Sequence, residues 1–198
     1  MEVRVHDTTC PGCGASLDIG KIKCPFCKEI RIVTTFNSVA SMPMPLLNQR
    51  TAGYQEALQA EPDNKALNAS IAFCYLKLKL YDKALVAFEK AIEDNFDHSD
   101  IYFRAAICLL KGKKAFSAQR SDIERIEKYI NAALAIEPQK GIYHYFLAYI
   151  KYDYFERKFL NTTPTYKVAL AAAKASGLSP VDIEQLFVDL GVLRPSVM

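Results

Sequence analysis

Residues 64–96 read NKALNASIAFCYLKLKLYDKALVAFEKAIEDNF. Two helical stretches fit this text, one around Ala72 and Tyr75 and one around Ala84, Phe88 and Ala91. The alanines let paired helices approach closely, and the aromatic rings fill the gaps between them. Further along the chain the same features return. Ala72, Cys74, Leu76 and Lys77 recur 34 residues later as Ala106, Cys108, Leu110 and Lys111. A second series runs Tyr54/Ala57, Phe88/Ala91, Ile130/Ala133 and Ala172/Ala175, with steps of 34, 42 and 42 residues. Pro62, Pro138 and Pro180 close three of these units, and Phe96 stands in that place in the other. A period near 34 is the mark of stacked helix–turn–helix units, a mainly α solenoid.

The best unit, with Ala72, Tyr75, Tyr81-Asp82-Lys83-Ala84, Phe88 and Ala91, resembles a tetratricopeptide repeat. Glu61-Pro62-Asp63-Asn64 and Glu137-Pro138 match that family's exit from a second helix. The units Tyr102 to Pro138 and Tyr143 to Pro180 depart from it by about eight extra residues between their two helices, near Gly112-Lys113-Lys114 and Asn161-Thr162-Thr163-Pro164. Ser121 with Glu124 reads as a capping box, and Thr163-Pro164 as a cap before a first-turn proline. Ser179-Pro180-Val181-Asp182 starts one more helix, to about Leu190, placed to cap the solenoid. The resemblance implies a concave groove lined by first helices, here by Phe73, Phe103, Arg104, Ile107, Tyr145, Tyr149 and Tyr152. The aromatic and apolar character of this face suggests a peptide or helix held by apolar anchors, with about half of these side chains exposed and the rest in the core. Tyrosine and arginine suit such a surface because they combine contact area with a polar handle. Cys74 and Cys108 occupy the same place in successive first helices and read as small, inert core residues.

Toward the N-terminus lie Cys10-Pro11-Gly12-Cys13-Gly14 and Cys24-Pro25-Phe26-Cys27-Lys28. A two-residue gap lets both thiolates of a pair point at one metal from a tight turn, and two such turns complete a tetrahedral S4 shell. Zinc and iron both accept four cysteines. One structural zinc ion is the expectation, since nothing in the sequence suggests electron transfer. A closed S4 shell leaves no open position for catalysis. Val3 to Val5 and Ile30 to Val33 alternate as short strands do. The arrangement resembles a zinc ribbon, and Thr9 to Leu17 is similar to the first knuckle of short bacterial ribbons. The second knuckle carries Lys28 where such ribbons have glycine.

These readings divide the chain into a small β-type ribbon (1–36), a linker (37–47) around Pro43 and Pro45, and a tetratricopeptide-like α-solenoid with its capping helix (48–198). The solenoid covers about three quarters of the chain. Apolar residues make up 51% and charged residues 24%, a globular balance. No apolar run approaches the roughly 18–20 residues that cross a bilayer, and Met1 to Thr9 lacks the apolar core of a signal peptide. Two close thiol pairs, with the other two cysteines far away in apolar helical sequence, fit a reducing cytoplasm. Residues 1–33 hold five basic and four acidic side chains, a weak footprint for DNA or RNA. His6, His98 and His144 have no nucleophile or base beside them in sequence, and no phosphate loop occurs. The expectation is therefore a cytoplasmic, non-enzymatic adaptor or scaffold that binds a protein partner, without a small-molecule substrate or membrane attachment. Nucleic-acid contact through the ribbon is the alternative.

Overall fold

A computed structural model describes residues 10, 13–16, 21–93 and 97–198. The chain forms two compact units, Met1–Glu93 and Asp94–Met198. The first contains α1 (Asn37–Ala40), α2 (Met44–Ala60), α3 (Lys65–Lys77) and α4 (Tyr81–Ile92). The second contains α5 (Ser99–Leu110), α6 (Arg120–Ile136), α7 (Gly141–Ile150), α8 (Tyr166–Ala175) and α9 (Pro180–Leu190). The architecture is mainly α, as the repeat pattern implied, and helices pair as consecutive hairpins: α3 with α4, α5 with α6, α7 with α8.

In the first unit, Asn64 caps α3 by accepting a hydrogen bond from the Leu67 amide at 3.0 Å. The helix ends in a reciprocal turn, with the Leu80 amide donating to the Tyr75 carbonyl and the Lys79 amide to that of Leu76. Lys79 takes the left-handed conformation, φ 58°, that this ending requires. The chain can then reverse, and Ala72, Ala84, Phe88 and Ala91 become fully buried between the paired helices. Phe73 meets Phe88 edge-on at 5.3 Å.

The segment read as a linker is instead part of this core. Val39 and Met42 are buried, and α2 begins at Met44 with Pro45 in its first turn. Proline is tolerated there because a first-turn amide has no intrahelical acceptor to lose. The β-type expectation also changes. Among the described residues there is no strand, and Lys23 and Ile30 form an isolated antiparallel bridge. Two backbone groups of Ile30 to Val33 bond to helix side chains instead of a strand partner. Tyr54 Oη donates to the Arg31 carbonyl at 2.6 Å, and the Val33 amide donates to Ser70 Oγ at 2.9 Å. Val3 to Val5, His6, Pro11, Gly12 and Phe96 lie outside the described residues.

In the second unit the extra residues both lengthen a helix and build a loop. Beyond α7 the chain continues as a π-helical turn, Lys151–Phe155, and a 3-10 turn, Glu156–Lys158. Before α6 the loop folds into a 3-10 turn, Ala115–Ser117. Asp153, 2% exposed, joins the two: its carboxylate accepts from the Phe116 amide at 2.7 Å and pairs with Arg157 at 2.5 Å. Lys151, also buried, reaches Glu127 at 2.6 Å. The two sequence-read caps in this region are corrected. Gln119, not Ser121, precedes α6, with Arg120 rather than Ser121 engaging Glu124. The Thr163–Pro164 pair precedes α8, whose N-cap is Thr165. The Ser179 cap holds, accepting from the Val181 amide at 3.2 Å.

Candidate functional site

The four N-terminal cysteines converge. Their sulfurs all lie within 4.8 Å of one another, with Cys10 to Cys27 at 3.4 Å and Cys13 to Cys24 at 3.7 Å. A tetrahedron with metal–sulfur distances of about 2.3 Å has edges of about 3.8 Å, so the thiols fit a tetrahedrally bound ion. None of the six cysteines is in a disulfide.

Two turns of identical hydrogen bonding create this convergence. The Cys10 amide donates to the Ala15 carbonyl and the Gly14 amide to that of Cys10. Fourteen residues on, the Cys24 amide donates to the Glu29 carbonyl and the Lys28 amide to that of Cys24. Cys10 and Cys24, which open the turns, are buried, while Cys13 and Cys27 are exposed. Burial opposes ionisation of Cys24, but the Cys27 and Phe26 amides and the neighbouring sulfurs outweigh it and lower its thiol to about 6. The Glu29 amide favours the Cys27 thiolate, yet the three sulfurs around it push its thiol up to about 12. Four adjacent thiols cannot all ionise without a cation among them, the electrostatic condition of a metal-binding cluster. Phe26, between Cys24 and Cys27, is 71% exposed.

The knuckles are docked rather than free. Ile22 lies against α2 at Gly53, where a Cβ would sit 2.9 Å from Ile22 Cγ1. With the Arg31–Tyr54 and Val33–Ser70 bonds, this ties the cysteine region to α2 and α3.

The groove residues stand differently from the sequence expectation. Phe73, Phe103, Ile107, Tyr145 and Tyr149 are each at most 3% exposed, so they are core, and Arg104 and Tyr152 are half-buried. The chain itself covers them. Phe36 packs on Phe73 at 6.4 Å. Tyr143 and Phe146 hold Phe103 at 4.7 and 5.6 Å. Phe187 of α9 meets Tyr149 and Tyr145 edge-on at 5.3 and 6.3 Å. Arg104 pairs with Asp189 of α9 at 2.5 Å and with Asp100 at 3.0 Å, and Tyr152 meets Tyr166 edge-on at 5.3 Å. Instead of ending the stack, α9 contacts both α5 and α7. The sequence carried a signal of this in the buried stripe Ile183, Leu186, Phe187 and Leu190, whose spacing demands an apolar face to cover.

Cys74 and Cys108 are fully buried, and burial pushes the Cys74 thiol up to about 11, in keeping with inert core residues. His144 bonds the Pro138 carbonyl at 2.8 Å, and His98 is exposed at the start of α5. No helix among the described residues is long and apolar enough to cross a membrane.

No curated protein compared with the chain matches it. The family model for the tetratricopeptide repeat matches residues 53–107. That stretch contains the α3–α4 hairpin whose Ala72, Ala84, Phe88 and Ala91 are buried at the spacing read from the sequence. Residues 53–107 thus match the tetratricopeptide repeat, and the four-cysteine cluster ahead of them fits a zinc ribbon.

Proposed function

We propose that the protein is a non-enzymatic cytoplasmic adaptor whose four cysteines hold one structural zinc ion and whose knuckle engages a partner protein. The docked knuckle, with Phe26 held outward between Cys24 and Cys27, carries this reading. An exposed aromatic on a rigid turn is the kind of anchor that dominates protein contacts. Four thiolates fill a tetrahedral shell, so the ion supplies rigidity and leaves no position for substrate. A reducing compartment keeps the thiols available for it.

The test is capture from a lysate with three versions of the full chain: intact, Phe26→Ala, and Cys24→Ser/Cys27→Ser. One shared partner retained by the intact chain, weakened by loss of Phe26 and lost with the ligands, supports the adaptor role. Equal capture by all three removes the knuckle from it. Metal analysis of the intact chain should find about one zinc per chain.

A further inference from the structure

The two insertions of the second unit lie where α5 turns into α6 and where α7 turns into α8. They meet at one edge, where the Ala115–Ser117 turn touches the Lys151–Phe155 turn. That edge is apolar at its tip. Phe159 is 96% exposed, Leu160 42% and Phe116 40%. Phe159 also ends the Glu156–Lys158 turn in the left-handed conformation, at φ 56°. Gly177 and Gly191 take that conformation after α8 and α9. Glycine has no Cβ to strain there. A phenylalanine strains the backbone and gains no burial in return, so folding does not account for it.

The same edge is basic. Residues 111–120 and 151–160 hold seven basic and two acidic side chains, a net charge of +5, whereas the whole chain carries +3. Lys151, Arg120 and Arg157 pair with Glu127, Glu124 and Asp153. Among the described residues no carboxylate pairs with Lys113, Lys114 or Lys158. The Lys158 ammonium lies over the rings of Tyr154 and Phe116 instead, at 3.8 and 5.0 Å. The surplus charge therefore surrounds the apolar tip.

We propose that this edge docks on the surface of an anionic lipid bilayer, with Phe159 and Leu160 entering the acyl boundary and Lys113, Lys114 and Lys158 meeting the acidic headgroups. A projecting tip needs a medium that yields to it, which a bilayer interface does. Single-stranded nucleic acid fits less well. Leu160 offers no stacking face, and Phe116 is already engaged by Arg157 and Lys158. A two-residue tip is far shorter than a spanning segment, so the sequence expectation of no membrane attachment did not bear on it. The edge belongs to the second unit and Phe26 to the first, and neither role depends on the other.

The experiment mixes the purified full chain with vesicles of phosphatidylcholine alone, or of phosphatidylcholine and phosphatidylglycerol in equal parts. Flotation at low and physiological salt recovers the bound protein. Only the anionic vesicles should bind, and salt should weaken the binding. Phe159→Gly should lower the affinity about tenfold, while its melting temperature holds or rises because glycine relieves the backbone. Lys113→Ala/Lys114→Ala should lower it about twentyfold. The chain has no tryptophan. Phe159→Trp is therefore a single probe whose emission should move to the blue on anionic vesicles, while that of Phe26→Trp stays unchanged. Absence of binding to anionic vesicles at low salt overturns the proposal. So does equal binding by Phe159→Gly, which would leave only diffuse charge attraction, or a fall in its melting temperature, which would give the ring a structural role. A blue shift in Phe26→Trp alone would move the contact to the knuckle and overturn it. Tighter binding to a single-stranded oligonucleotide than to anionic vesicles, lost in Phe159→Gly, would make the occupant a nucleic acid and overturn it too.

Discussion

Gly14 and Lys28 hold the same position in the two cysteine turns, both left-handed, at φ 71° and 65°. Each donates its amide to the carbonyl of the first cysteine of its turn. Glycine meets this demand freely, whereas a residue with a Cβ gives up about 1–2 kcal/mol. Lys28 recovers part of that through its Nζ, which donates to the Pro25 carbonyl at 2.8 Å, but the bond is exposed. Lys28→Gly should thus tighten metal binding about fivefold, and Gly14→Ala, whose Cβ would meet nothing within 4 Å, should weaken it by a similar factor. Chelator-competition titrations of the two variants measure this. Equal weakening by both would show that the lysine contact, not the backbone, governs the second turn.

Ser70 is the bolt between the cysteine region and the helices. Its hydroxyl accepts from the Val33 amide and lies 3.2 Å from the Val33 carbonyl and 2.8 Å from that of Ala66. Ser70→Ala would strand a buried amide, at a cost of about 1–3 kcal/mol. Chemical denaturation should show that loss, and hydrogen exchange at Val33 should accelerate. Because the knuckles are docked on α2 and α3, chelation of the metal should also lower the melting temperature of the first unit in the wild type. That shift should shrink in Ser70→Ala, where the coupling is already broken. Unchanged melting on chelation would mean that the knuckles fold independently of the helices.

The sequence revealed the four-cysteine cluster and the helical hairpins for one shared reason: both depend on local spacing. Cys-x-x-Cys places two thiols from one turn, and the 34-residue period repeats one buried set of alanines and aromatics. It did not reveal what covers the first helices. Whether Tyr145 and Tyr149 face solvent depends on Phe187, some forty residues away, and periodicity is silent about which face a distant helix chooses. Nor did it reveal Asp153 as the joint between two insertions, because a carboxylate beside Tyr152 and Tyr154 carries no mark of burial. The linker was misread because two prolines suggested a break, while Pro45 sits in a helical first turn where no bond is lost.

Alkaline conditions should weaken the first unit. Burial raises the Tyr54 phenol to about 12 and the Cys74 thiol to about 11. Both are acids that are neutral when protonated, so the folded state holds their protons more tightly than the unfolded chain. Their contribution is fully present below the ordinary values near 9 to 10 and is lost as pH rises through about 11 to 12. A shift of about two units for mostly buried Tyr54 corresponds to roughly 2–3 kcal/mol. Tyrosinate absorbance and circular dichroism, followed together, should show a late-titrating tyrosine whose ionisation coincides with helix loss. In Tyr54→Phe the late step should lose the amplitude of one tyrosine, while Tyr143, which burial also pushes up to about 12, still titrates late. Titration of every tyrosine near its ordinary value with the helices intact would contradict the burial argument.

Tyr145→Ala with Tyr149→Ala should unfold the second unit rather than leave a folded chain with an empty surface. Both rings are 1% exposed, and both pack edge-on against Phe187. The Tyr149 hydroxyl also accepts from the Ala115 amide at 3.4 Å, which places it beside the loop held by Asp153. Truncating one large buried aromatic costs about 3–5 kcal/mol, and two that share a neighbour remove a large part of a small unit's stability. Thermal denaturation should therefore show a fall in melting temperature far larger than that of Phe187→Ala alone, because Phe187 leaves from one side of the cluster while the tyrosines leave from its floor. A double variant that melts like the wild type would return these residues to the surface, and with them the open groove that the repeat pattern first suggested.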